Sequence, residues 1–197
     1  MDRVLFVIDC QNDFMPEGSL AVPKGDEIVP VINELLRDNK YTINIFTKDW
    51  HPKNHKSFAS NNNVEPFTIV GDEMKWTDHC VQDTEGAKIH KDITIPADAL
   101  EICHFIIHKG TNPTFEEYSA LSDIGNQDDI TYDVKGLHVD VVGLATDYCV
   151  KDTVLDLLSK TDAKSVNVLL KGCRGIADDS TAKAIEEMKS AGAEIVV

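Results

Sequence analysis

Basic residues are scarce in this chain. Against 34 Asp and Glu, its 197 residues hold only 19 Lys and Arg, a formal net charge of −15. Nucleic acids and anionic membrane surfaces both call for a positive face, so neither is an expected partner. No apolar run approaches the roughly 20 residues that a helical membrane span needs. The first apolar run, Val4–Ile8, is too short for the core of a signal peptide and has no small-residue cleavage site after it. No Cys-x-x-Cys pair occurs. The five cysteines, at 10, 80, 103, 149 and 173, are odd in number and irregularly spaced, which makes a poor disulfide framework and no zinc ribbon. They read as reduced thiols, and the expected location is the cytoplasm. Asp9-Cys10-Gln11-Asn12 follows the first run where a dinucleotide-binding protein would carry Gly-x-Gly-x-x-Gly. Internal repeats, low-complexity tracts and interdomain linkers are also missing.

What is there is a globular composition, 42% hydrophobic and 27% charged, in which short β-rich runs alternate with helical stretches. Val4–Ile8 has the continuous apolar character of a central parallel strand covered on both faces. Strands are also expected at Thr42–Thr47, Phe105–His108, Val139–Gly143 and Val166–Leu170, with an edge strand at Glu194–Val197. Helical spacing runs through Glu27–Asn39, where Pro30 fits only in the first turn, and through Val150–Leu158 and Thr181–Ser190. Strands separated by helices imply βαβ units with right-handed crossovers. The expected fold is α/β: a three-layer α/β/α domain spanning 1–197, with a central, mostly parallel sheet of about six strands. The region at about 50–104 is long, polar and weakly periodic, and holds four histidines, 51, 55, 79 and 90. A stretch of that kind is either functional or a surface insertion.

Ligands of open α/β sheets bind beyond the carboxyl ends of the strands. There stand Asp9, then Asp49 and His51, then Lys109, then Cys149. Singly, each has a bland explanation: a loop cap, a solvated lysine, a small core thiol. Together they are the parts of a nucleophilic acyl-transfer site. Cys149 falls in the first turn of the Val150–Leu158 helix, with Thr146 or Asp147 as its N-cap, where backbone N–H groups and the helix dipole favour a thiolate. Lys109 would lower the thiol pKa further, and Asp9 could take and return its proton. Asp49 and His51, two apart on extended chain, point the same way and form a metal half-site. His79 or His90 could complete it, in a set suited to Zn²⁺, Fe²⁺ or Mn²⁺ with positions left open.

Five segments in order resemble the isochorismatase-like cysteine hydrolases, and within them the nicotinamidases, which also hydrolyse pyrazinamide. They are Val7-Ile8-Asp9-Cys10-Gln11-Asn12-Asp13-Phe14, Thr47-Lys48-Asp49-Trp50-His51-Pro52, Trp76-Thr77-Asp78-His79-Cys80-Val81, His108-Lys109-Gly110-Thr111-Asn112-Pro113 and Gly143-Leu144-Ala145-Thr146-Asp147-Tyr148-Cys149-Val150. The resemblance implies a catalytic triad of Asp9, Lys109 and Cys149. It implies Asp49, His51 and His79 as ligands of one divalent metal ion, zinc first with Fe²⁺ or Mn²⁺ as alternatives, and Ser57 as a contact direct or through water. The family's cis peptide maps to Leu144–Ala145, where it would bring the Ala145 N–H beside that of Cys149 as an oxyanion hole. Phe14, Trp76, Tyr118 and Leu144 are implied to line the substrate pocket. Glu116-Glu117-Tyr118 stands where Asp-Ser-Tyr is more usual, Thr77 where proline is common, and Glu17-Gly18 where a double glycine is.

The activity so implied is hydrolysis of nicotinamide to nicotinate and ammonia through a Cys149 thioester, with the metal orienting the pyridine ring, in a protein that could assemble as a homo-oligomer. Two alternatives remain at this level. One is a related amidase for carbamoyl or ureido substrates, whose relatives generally lack the metal set. The other is a non-catalytic metal- or nicotinamide-binding module.

Overall fold

The computed structural model describes residues 3–38, 40–95, 103–122 and 130–197. Strands β1 (Arg3–Ile8), β2 (Tyr41–Asp49), β5 (Cys103–Lys109), β6 (His138–Leu144), β7 (Ser165–Arg174) and β8 (Glu194–Val196) form one parallel sheet in the order β5-β2-β1-β6-β7-β8. The chain winds outward from β1 in one direction and from β6 in the other. The β1/β6 boundary is therefore the topological switch point, where a crevice opens beyond the strand ends.

β1 shows why both faces of the sheet are covered. Val4, Phe6 and Ile8 face one way; Leu5 and Val7 face the other; each is at most 1% exposed. Leu5 and Val7 pack with Ile32 and Leu36 of helix α1 (Val29–Leu36). Val4, Phe6 and Ile8 pack with Val154 and Leu157 of the helix Lys151–Lys160 and Met188 of the helix Asp178–Ser190. Burying each such side chain stabilises the fold by roughly 1.5–3 kcal/mol. This is the expected three-layer α/β/α architecture, with every pairing of the six-stranded sheet parallel.

The elements differ from the expected ones mainly at their ends. Helix α1 is shorter than Glu27–Asn39: a 3₁₀ turn occupies Gly25–Ile28, Pro30 lies in the first α turn, and Arg37 caps the end. Asn39 lies outside the described residues. β2 runs two residues past Thr47 because its pairing with β5 continues to Asp49↔Lys109. β7 extends to Arg174, with an irregularity opposite Val141/Gly143. Between β2 and β5 come one helical turn, α2 (Ala59–Asn62), and a small hairpin of β3 (Thr68–Val70) and β4 (Glu73–Lys75). The remainder of that region is irregular, and 96–102 lie outside the described residues.

The helix that carries Cys149 begins otherwise than expected. Thr146–Val150 is a π-helical turn, in which the Val150 N–H donates to the Ala145 carbonyl, and it runs into α3 (Lys151–Lys160). Neither Thr146 nor Asp147 caps it. Asp147 instead braces the entry of the other helix, α4 (Asp178–Ser190): it accepts the Ile176 N–H at 3.0 Å and the Ser180 hydroxyl, tying the chain just ahead of the helix to its first turn. α4 starts three residues before Thr181. Among the described residues no helix is long and apolar enough to cross a membrane.

Candidate active site

Asp9, Asp49, Lys109 and Cys149 converge at the carboxyl ends of β1, β2 and β5 and in the turn after β6. Lys109 Nζ lies 2.8 Å from Asp9 Oδ2, 2.5 Å from Asp49 Oδ1 and 3.3 Å from Cys149 Sγ. All four groups are buried. Asp9 is held by Thr47, whose hydroxyl donates to Asp9 Oδ1 at 2.6 Å while accepting the Asp9 N–H at 3.1 Å. The other carboxylate oxygen, Oδ2, touches Lys109 but has no aligned donor. It is the oxygen available to a thiol proton.

Burial dominates the electrostatics. It pushes the Cys149 thiol well above its ordinary value against the pull of Lys109, with Asp9 and Asp49 adding to the rise. Buried beside two acids, the thiol is a weak acid and needs a base such as Asp9 to give up its proton. Burial also raises Asp9, against the pull of Lys109. Lys109 moves up despite its own burial, because Asp49 and Asp9 flank it. The cluster is therefore a thiol, a basic carboxylate and a fixed ammonium.

Asp49 divides its two oxygens. Oδ1 accepts from Lys109, while Oδ2 stands 3.6 Å from His51 Nε2 and 3.8 Å from His79 Nε2. His51 Nδ1 lies 2.9 Å from the Gly110 carbonyl and His79 Nδ1 2.7 Å from the Thr77 carbonyl. A carbonyl can only accept, so both rings carry hydrogen on Nδ1 and turn the Nε2 lone pair to Asp49. His51 Nε2 is buried without a hydrogen-bond partner. Ligand atoms of a tetrahedral ion with bonds near 2.0–2.1 Å stand about 3.4 Å apart, so the three groups fit a divalent metal. Burial keeps the His79 imidazole neutral, whereas Asp49 pushes His51 up against its burial.

The backbone around this set is tightly specified. Gly110 has φ +64, and a Cβ there would lie 2.3 Å from His51 Cε1. Only glycine both turns the chain and lets its carbonyl meet the ring. Gln11 clamps the end of β2: its side chain donates to the Asp49 carbonyl and accepts the Asp49 N–H, both at 2.8 Å. Asp13 accepts the Cys80 N–H at 2.7 Å, and the Cys80 carbonyl accepts the His51 N–H at 3.0 Å. Thr47, Gln11 and Asp13 escaped sequence reasoning, although Gln11 and Asp13 sit directly after β1. Their signal would have been polar residues about to be buried beyond a strand end.

Beside Cys149 a narrow pocket is lined by Phe14, Asp49, Trp76, His79, Tyr118, Ala145 and Tyr148, among others. Trp76 Nε1 donates to the Tyr118 hydroxyl at 3.0 Å, and the Trp76 and Tyr148 rings meet edge to face at 5.0 Å. Leu144 is not in this wall. Its side chain is fully buried in the α1-side core, and Ala145 faces the pocket. The Leu144–Ala145 peptide is cis. Ser57 is buried, with its hydroxyl 2.7 Å from His55 Nδ1. His90 lies away from the metal set: its N–H donates to the Cys10 carbonyl, and its Nδ1 accepts the Asp92 N–H at 3.4 Å.

A family model described as the isochorismatase domain matches residues 3–196. This chain belongs to the isochorismatase family. Within it, the chain is 43% identical to a nicotinamidase of Escherichia coli strain K12, over 98% of this chain and 93% of that one. Among solved structures it resembles a pyrazinamidase of Pyrococcus horikoshii in complex with zinc, at 36% identity and a TM-score of 0.81, covering 98% of both chains. It also resembles the yeast nicotinamidase bound to the inhibitor nicotinaldehyde, at 33% identity and a TM-score of 0.84, over 98% of this chain and 99% of that one. The isochorismatase fold thus holds in this chain at full length, and the parallel sheet described above is its sheet.

One stability prediction concerns Thr47. Thr47→Val leaves a buried carboxylate oxygen and a buried N–H of Asp9 without their partner. It is expected to cost about 1–3 kcal/mol of folding free energy, read from urea unfolding. An unchanged midpoint would mean that Thr47 does not hold Asp9.

Proposed function

We propose that this isochorismatase-family chain is a metal-containing cysteine amidohydrolase that converts nicotinamide to nicotinate and ammonia, and that it also accepts pyrazinamide. One observation carries the reading. A single carboxylate, Asp49, joins an acid–lysine–thiol cluster to two imidazoles whose Nε2 atoms face it, beside an aromatic pocket. A simple amidase needs only the first cluster. A pocket that also orients an azine ring has use for the second.

In the proposed reaction Asp9 takes the proton from Cys149 Sγ as the sulfur attacks the carboxamide carbon. The N–H groups of Ala145 and Cys149 hold the resulting oxyanion. Lys109 keeps the added negative charge balanced without giving up a proton. Asp9 then protonates the amine, the C–N bond breaks and ammonia leaves, with a thioester on Cys149. Asp9 next takes a proton from water. The hydroxide attacks the thioester carbon, the C–S bond breaks, and the proton returns to the sulfur. Asp49, His51 and His79 would hold a divalent ion, zinc in the first instance with Fe²⁺ or Mn²⁺ as alternatives, and the ion when bound offers a Lewis-acidic position to a ring nitrogen. Ser57 would support that site. Phe14, Trp76 and Tyr118 would flank the ring.

The test is ammonia release from nicotinamide and pyrazinamide by metal-replete protein, together with zinc titration of His51→Ala. Wild type should release ammonia from both amides. His51→Ala should weaken zinc binding by more than the roughly 10- to 100-fold usual for losing an outer partner. Silence on both amides with every candidate metal would sink the substrate assignment, and ureido and carbamoyl amides would be tried next.

A further inference from the structure

Glu116 does not belong to either cluster above, yet it lies against one. A carboxylate oxygen of Glu116 and one nitrogen each of His51 and His55 all fall within 4.8 Å of one another. Glu116 Oε2 is buried and has no hydrogen-bond partner among the described residues. Glu116 Oε1 accepts the Glu117 N–H at 3.2 Å.

The neighbours of Glu116 are already committed. The His55 ring lies tilted against His51, with centroids 4.3 Å apart. His55 Nδ1 lies 3.3 Å from the Ser57 N–H, which can only donate, so Nδ1 accepts and Nε2 gives its hydrogen to the Phe115 carbonyl at 3.1 Å. His51 is bound through Nδ1 to Gly110. Neither ring therefore has a hydrogen left for Glu116. Glu116 is half-buried, and a buried carboxylate oxygen such as its Oε2, left without a donor, is costly unless a positive charge stands close by. Its charge is felt at His51, His55 and His79 alike.

We propose that Glu116 is a positioning residue of the metal centre: an outer carboxylate that binds no ion itself and strengthens cation binding at Asp49, His51 and His79 through its charge beside His51. With Asp49 it brings two negative charges to the site, matching a divalent ion, while Asp49 also serves Lys109. His55 lies against both Glu116 and His51 and is held by the Ser57 hydroxyl, which gives it a structural part in the same arrangement.

The inference rests on the proposed ion site, and the experiment separates the two. The protein is stripped with a chelator and titrated with zinc against a chromophoric competitor. Wild type, Glu116→Gln, Glu116→Asp, His51→Ala and the surface control Glu65→Gln are compared. Glu116→Gln is isosteric and should lower zinc affinity about 10- to 100-fold with one ion per chain retained. Glu116→Asp keeps the charge and should recover most of the loss. Glu65→Gln, which removes an equal charge at an exposed position, should match wild type. Unchanged affinity in Glu116→Gln, with the expected loss in His51→Ala, overturns this inference and leaves the ion site standing. Two ions in wild type falling to one in Glu116→Gln also overturns it, since Glu116 would then be a direct ligand. No zinc binding by wild type overturns both readings.

Discussion

Cys149→Ala is expected to abolish ammonia release while the protein still binds zinc and nicotinamide. The thiol is the only nucleophile among the buried groups that meet at Lys109, which otherwise are carboxylates. Loss of a nucleophile that acts within a catalytic unit costs on the order of 10⁶-fold in kcat, because the remaining groups are left with no covalent step to assist. The Asp49–His51–His79 set contacts Lys109 through Asp49 and does not depend on the sulfur. Zinc affinity and nicotinamide affinity, measured by calorimetry, should therefore stay within a few-fold of wild type. A variant that kept a tenth of wild-type activity would move the chemistry from the sulfur to a metal-activated water, and the proposed order of steps would have to be abandoned.

The second large effect is expected from Asp9→Asn. The amide preserves the shape and can still accept from the Thr47 hydroxyl. It cannot take the thiol proton, and since the sulfur is buried and holds that proton, no thiolate forms without a base. The same group must protonate the leaving ammonia and then activate water, so the loss acts on both halves of the reaction. Removing a general acid–base typically costs about 10²–10⁴-fold. The fall should appear in kcat, and alkylation of Cys149 by iodoacetamide should slow in parallel. If activity fell while alkylation kept its wild-type rate, Asp9 would not be the base that activates Cys149. A thermal melt close to wild type would show that the fold survives, because Asp49 still neutralises Lys109.

Much of this site was legible because strand ends are easy to find. Val4–Ile8 is apolar at every position, so β1 could only be a central strand, and whatever followed it had to face the crevice. The same reasoning placed Asp49, Lys109 and Cys149 on one edge before any contact was known. Element ends were less legible. The amphipathic pattern begins at Thr181, but the helix starts at Asp178, after a segment whose Ile176 N–H is held by Asp147 from 29 residues earlier in the chain. An acceptor that arrives through space leaves no trace in the local sequence.

The acidity of Cys149 is only partly legible for a related reason. Helix position and a lysine partner both favour a thiolate, and both are visible in the sequence. The burial that outweighs them is a property of the packed sheet. Leu144 is a second case. Next to a pocket residue in sequence, it is fully buried in the α1-side core, a placement that packing decides and sequence proximity does not.

The sequence by itself determined the fold class, and the edge of the sheet at which Asp9, Asp49, Lys109 and Cys149 gather. Periodicity and residue chemistry are local properties, and the right-handed crossovers that follow from them admit few topologies. Only the tertiary structure decided how those groups share their partners. Asp49 gives one oxygen to Lys109 and the other to the histidines, Thr47 turns Asp9, and Glu116 comes to lie against His51. Apart from Asp49 and His51, these contacts join residues 30 to 65 positions apart. Their energies depend on burial, on direction and on which neighbour claims a hydrogen first, and those are settled when the layers close.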